Sequence, residues 1–142
     1  MQSQKEIDEL TRLEVRVEGP IVKVALARPN LRNAFDSVTI GELTKVFRSI
    51  GTAGVFSSTQ AVVLTGQGPS FCSGADLSYM QSMARFSRDE NKADAEHLFE
   101  MFQSVKQCLV PVIVHIHGHA MGGAVGITAC ADIALAERGT QL

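Results

Sequence analysis

The stretch that most constrains this chain runs from Val112 to Glu137. An apolar segment, Pro111-Val112-Ile113-Val114-His115-Ile116-His117-Gly118, leads into His119-Ala120-Met121-Gly122-Gly123. The small-residue run Ala124-Val125-Gly126-Ile127-Thr128-Ala129-Cys130-Ala131 follows, closed by Asp132 and the apolar Ile133-Ala134-Leu135-Ala136. A strand, a glycine turn and a helix of small residues presents unpaired backbone N–H groups, and the positive end of the helix, to an anionic group. The same pattern also suits a helix packed closely on a sheet, because small side chains shorten the distance between elements. The stretch by itself leaves both readings open.

A second stretch of the same kind lies upstream. Ala61-Val62-Val63-Leu64-Thr65-Gly66 reads as a buried strand, apolar on both faces as a covered parallel strand should be. Gly66-Gln67-Gly68-Pro69 ends it, and Ser70-Phe71-Cys72-Ser73-Gly74-Ala75-Asp76-Leu77 follows. Two glycine turns, each after an apolar strand, can each aim one N–H at a common oxygen. That is how fixed backbone donors stabilise charge developing on a carbonyl oxygen.

The pairing of SFCSGADL with HGHAMGGAVGITACADIALAE, with RPNLRNAF upstream, resembles the crotonase superfamily, the enoyl-CoA hydratases and isomerases. The resemblance covers nearly the whole chain. It implies a crotonase-like (ClpP/crotonase) α/β fold of repeated ββα units, lacking the C-terminal helical part, with residues 1–142 as a partial domain and 1–10 disordered. Matched motif to motif, the backbone oxyanion donors fall on Ala75 and Gly123. Arg32, Ala34, Ser73, Gly74, Asp76, Leu77, Met121 and Gly122 fall in the CoA and acyl-binding segments. The substrate implied is an acyl-CoA thioester, with no cofactor beyond the coenzyme A it carries. A homo-oligomer, a trimer or dimer of trimers, is implied for a full-length relative. Arg32 would then meet a CoA phosphate, although arginines in a loop are usually solvated.

The sequence departs from the family pattern at one place. Where many hydratases carry a glutamate on the helix after the glycine turn, this chain has Gly126, and the next acidic residue is Asp132. Some relatives use one glutamate beyond the following strand, a position not reached by Leu142. The chain looks like the amino-terminal half of a hydratase. Glu90 and Glu137 remain as remote acid/base candidates, more simply read as surface residues. Two functions stay open: an enoyl-CoA hydratase-like enzyme, and a non-catalytic acyl-CoA-binding protein that keeps the donors without the acid/base pair.

The remaining elements follow from periodicity. Leu13, Val15 and Val17, then Ile21 to Leu26 after Glu18-Gly19-Pro20, read as a β-hairpin. Asp36 or Ser37 caps an amphipathic helix carrying Ile40, Leu43, Val46, Phe47 and Ile50. Asp76 caps a short helix, LSYMQSM. Residues 84–92 are charged and non-periodic, and the resemblance makes them a mobile loop over the acyl pocket. Ala95, Leu98, Phe99, Phe102 and Val105 mark the apolar face of a further helix ending near Cys108, with His97 at its boundary. His115, His117 and His119 alternate along the next strand and fall on one sheet face, without an obvious fourth metal ligand; His119, at its end, is the one expected to line the pocket.

A net charge of −2 gives no electrostatic reason for a nucleic acid or anionic membrane partner. No apolar run approaches the roughly 20 residues that span a bilayer. Three cysteines, Cys72, Cys108 and Cys130, without CxxC spacing suit free thiols in a reducing compartment, and the polar, acidic amino terminus lacks the pattern of a signal or transit peptide. A cytoplasmic location is expected. HGHAMGGAVG lacks the GxGxxG spacing of a dinucleotide binder.

Overall fold

The computed structural model of the chain describes residues 3–142. It contains one five-stranded sheet in sequence order: β1 (Leu13–Glu18), β2 (Ile21–Leu26), β3 (Ala61–Gly66), β4 (Val112–Ile116) and β5 (Ile133–Ala136). The β1–β2 hairpin is antiparallel and every later pairing is parallel. The helices are α1 (Gln4–Asp8), α2 (Ser37–Ser49), α3 (Leu77–Met83), α4 (Arg88–Lys106) and α5 (Gly123–Cys130). This is the mixed α/β arrangement anticipated from the alternation of strand and helix patterns.

Register explains the core. Val22 pairs with Val62 and Val62 with Val112, while Val24 pairs with Leu64 and Leu64 with Val114. All six are fully buried, in one cluster with Leu43, Val46 and Phe47 of α2 and Met101 and Val105 of α4. The other sheet face, with Val63, Ile113 and Ile133 in one row, is only half covered or exposed. The expectation of a strand covered on both faces therefore holds for one face of β3, among the described residues.

Hydrogen bonding at element ends fixes the layers. Asp36 caps α2 by accepting from the Thr39 N–H at 2.9 Å. One turn further along α2, the Glu42 carboxylate accepts from the N–H groups of Thr11, Arg12 and Leu13 at 2.8, 2.8 and 3.2 Å, which anchors the start of β1. Asp76 caps α3 through Ser78 and Tyr79.

Three expectations are corrected. Residues 4–8, within the stretch expected to be disordered, form α1 with Ile7 buried; Met1 and Gln2 lie outside the described residues. Residues 88–92 are the first turns of α4, not a mobile loop, because Ser87 and Glu90 cap one another reciprocally: Glu90 N–H donates to Ser87 Oγ and Ser87 N–H to the Glu90 carboxylate. The buried face of α4 is also rotated from the expected one. Met101, Ser104 and Val105 are buried, whereas Ala95 and Phe99 are exposed.

Candidate functional site

Three segments distant in sequence run side by side. The central one, residues 72–76, pairs on one side with the loop 32–35: Ser73 N–H donates to Arg32 C=O at 3.0 Å, Phe35 N–H to Gly74 C=O at 2.9 Å, and Asp76 N–H to Phe35 C=O at 2.9 Å. On its other side Cys72 N–H donates to His119 C=O and Met121 N–H to Cys72 C=O, both at 3.1 Å. The two glycine turns touch. A Cβ on Gly74, whose φ is +91°, would lie 2.8 Å from Met121 C=O, and Gly122, at φ +57°, sits beside the Gly74 Cα. Only glycine allows that approach together with those dihedrals.

The amides of Ala75 and Gly123 flank this contact. The bridge to Phe35 uses the carbonyl of Gly74 and the amide of Asp76, so Ala75 N–H takes no part in it. Gly123 opens α5, where no helical acceptor exists for its N–H. Neither amide has a hydrogen-bond acceptor among the described residues. Phe35 touches both environments, bridging Ala75 through its backbone while its ring would lie 2.5 Å from a Cβ on Gly123. Sequence reasoning did not single out Phe35, although it follows Ala34 in the loop that was.

The other expected residues fall in or beside these segments. Ala34 is buried and its carbonyl accepts from Arg28 Nη1 at 2.6 Å. Ser73 is half-buried and Leu77 and Met121 are exposed. Arg32 is exposed, with no ion-pair partner among the described residues, in a left-handed conformation at φ 50°. Asp76 is fully engaged within the protein: Oδ1 accepts from Ser78 and Tyr79 N–H groups at 2.8 and 3.1 Å, and Oδ2 from Arg28 Nη2 at 3.1 Å.

Gly126 lies one turn into α5, and a Cβ there would stand 2.8 Å from the Phe102 ring. An aromatic side chain of α4 thus fills the space a larger residue at 126 would enter. The remote carboxylates have other partners, Glu90 at the start of α4 and Glu137 with His115 at 3.1 Å. His119 Nδ1 lies 3.4 Å from Ser70 Oγ and His117 Nε2 2.7 Å from Gly68 C=O. No three His, Cys, Asp or Glu residues among those described are grouped to hold a metal. Burial pushes the Cys72 thiol up to about 11, against a smaller opposing hydrogen bond from Gly74 N–H, so Cys72 is a neutral thiol at physiological pH. A groove of about 650 Å³ between α2 and α4, lined by Ile40, Thr44, Lys45, Arg48 and His97, contains none of the segments above.

The enoyl-CoA hydratase/isomerase family matches residues 16–141. The Mycobacterium tuberculosis protein named "Probable enoyl-CoA hydratase echA6" is 34% identical over 114 residues, covering 80% of this chain and 42% of the relative. The short-chain-enoyl-CoA hydratase of Clostridium acetobutylicum is 33% identical over 130 residues, covering 91% of this chain and 48% of the relative. A crystal structure of an enoyl-CoA hydratase from Shewanella pealeana superposes with a TM-score of 0.85 at 31% identity, over 94% of this chain and 50% of that one. The chain thus spans about half the length of these relatives, or less. On the sequence match and the shared fold together, the chain belongs to the enoyl-CoA hydratase/isomerase family of the crotonase superfamily.

Proposed function

We propose that this chain binds an acyl-CoA thioester and holds its carbonyl oxygen between the N–H groups of Ala75 and Gly123. The observation that carries the reading is the pair of acceptor-free amides on glycine turns that touch at Gly74 and Gly122. In hydration of an enoyl thioester, water adds at the β-carbon and the π electrons shift to the thioester oxygen; protonation at the α-carbon then restores the carbonyl. Two pre-aimed donors stabilise the enolate between those events, and loss of one costs a factor of about 10² to 10³ in rate. Arg32, exposed and without an ion-pair partner among the described residues, is the residue we assign to a phosphate of the coenzyme A. No cofactor is required by this chemistry. A cytoplasmic location and trimeric assembly of the whole protein belong to the same proposal.

A second reading is favoured by one contact. The Phe102 ring fills the space beside Gly126, α5 carries no carboxylate, and Asp76 is committed to Arg28 and the α3 amides. The described residues therefore supply enolate stabilisation without an evident acid/base partner, which suits binding and enolisation better than hydration. Acetoacetyl-CoA tests the amide pair independently of any general base, because its enolate absorbs in the near ultraviolet. Bound to the chain, it is expected to enolise at lower pH than in solution. Binding with an unchanged enolisation pH would reject the amide pair, and turnover of crotonyl-CoA by this chain would reject the binding-only reading.

A further inference from the structure

Resting on the reading above, we infer that Arg28 is the positioning residue that sets the Ala75 amide. The bridge between Phe35 and Ala75 joins a loop to a turn and is isolated from the sheet, so its register rests on three backbone hydrogen bonds between residues 32–35 and 72–76 with no flanking ladder. Arg28 reinforces that short pairing. Its Nη1 donates to Ala34 C=O at 2.6 Å and lies 3.4 Å from Asp36 Oδ2, while its Nη2 donates to Asp76 Oδ2 at 3.1 Å. Ala34 and Asp36 stand on either side of Phe35, and Asp76 follows Ala75. The planar fork thus ties both neighbours of Phe35 to the residue next to the donor amide.

The side chain suits the task. Arg28 is 16% exposed, and Asp36 and Asp76 are 17% and 13% exposed, so the cluster is largely shielded from competing water. Arg28 N–H also donates to Asn33 Oδ1 at 2.8 Å, which fixes the root of the side chain. The two carboxylates, of which Asp36 is shared with Arg12 at 3.1 Å, neutralise the guanidinium charge locally. Arg28 therefore acts through geometry and not through its field on the reacting oxygen. Lysine cannot replace it, since an ammonium lacks the rigid fork that spans separate acceptors.

The test compares the 142-residue chain with Arg28→Lys and Arg28→Met, using acetoacetyl-CoA as the enolising probe and butanoyl-CoA as one that does not enolise detectably. Misplacing a donor by a fraction of an ångström to an ångström is expected to weaken enolate binding by about tenfold to a hundredfold. Butanoyl-CoA affinity should change far less, and Arg28→Lys should fall between wild type and Arg28→Met. Variants that keep the wild-type enolate preference overturn the inference while leaving the amide pair intact. Equal losses for both ligands would also overturn it, since that is what a merely structural role produces. If Arg28→Met does not fold, Arg28→Lys decides by the same two affinities. A wild-type chain that binds acetoacetyl-CoA without favouring its enolate removes the amide pair, and this inference with it.

Discussion

Cys72 illustrates how one side chain can serve packing and turn geometry together. It is fully buried, and its Sγ accepts from Gly74 N–H at 3.4 Å, so the thiol occupies core space and holds the turn that precedes Ala75. With burial raising its pKa to about 11, it is expected to resist alkylation by iodoacetamide at neutral pH in the folded protein. Cys108 and Cys130, only half-buried, should label first when the digest is read by mass spectrometry. Asp36 makes the second residue-scale prediction. Burial raises its pKa, but hydrogen bonds from the Thr39 backbone and hydroxyl and from Arg12, with the Arg28 charge, outweigh that and hold it below its ordinary value of 3.8. A carboxyl depressed in the folded state adds stability above its unfolded pKa, and that stability is lost as pH falls through the folded pKa. Acid unfolding of Asp36→Asn, followed by circular dichroism, is expected to show a shallower loss of stability below about pH 4 than wild type does.

Among the elements, α4 shows what a local signal can do. Its first turns carry charged residues and no apolar period, yet the reciprocal cap between Ser87 and Glu90 satisfies amides that would otherwise be orphaned and starts the helix seven residues before Ala95. Ser87→Ala is expected to cost about 1 kcal/mol, read as a lower urea midpoint and reduced far-ultraviolet helical signal. The helix α5 works the other way. Its propensity is poor, with Gly123 and Gly126 in eight residues, but each glycine accepts an aromatic ring, Phe35 and Phe102 respectively. Packing supplies what propensity lacks.

At the scale of the whole molecule, the sheet is one-sided among the described residues. Helices cover the face bearing Val22, Leu64 and Val114, while Ile133 and Leu135 of the edge strand β5 are 50% and 55% exposed on the other. An exposed apolar edge strand with unpaired backbone groups favours association. The 142-residue chain is expected to self-associate in light scattering, and Leu135→Lys to shift it toward monomer. A monodisperse wild-type monomer would contradict this. No helix among the described residues is long and apolar enough to cross a membrane.

The sequence alone determined what depends on neighbours along the chain. The alternating hairpin pattern placed β1 and β2, continuous apolar runs placed β3 and β4, the 3.6-residue period placed α2 with Asp36 or Ser37 as its cap, Asp76 declared itself as the cap of α3, and the two glycine motifs announced turns after strands. Tertiary structure decided whatever depends on which segments lie beside one another. That Gly74 touches Gly122, that Phe35 bridges Ala75, that Phe102 fills the space beside Gly126 and that Arg28 reaches Asp76 across 48 residues are facts of sheet order and loop register. A turn's backbone conformation is written in a few adjacent residues, but the direction in which its free amide points is fixed by hydrogen bonds to segments far away in the chain, and no local pattern encodes them.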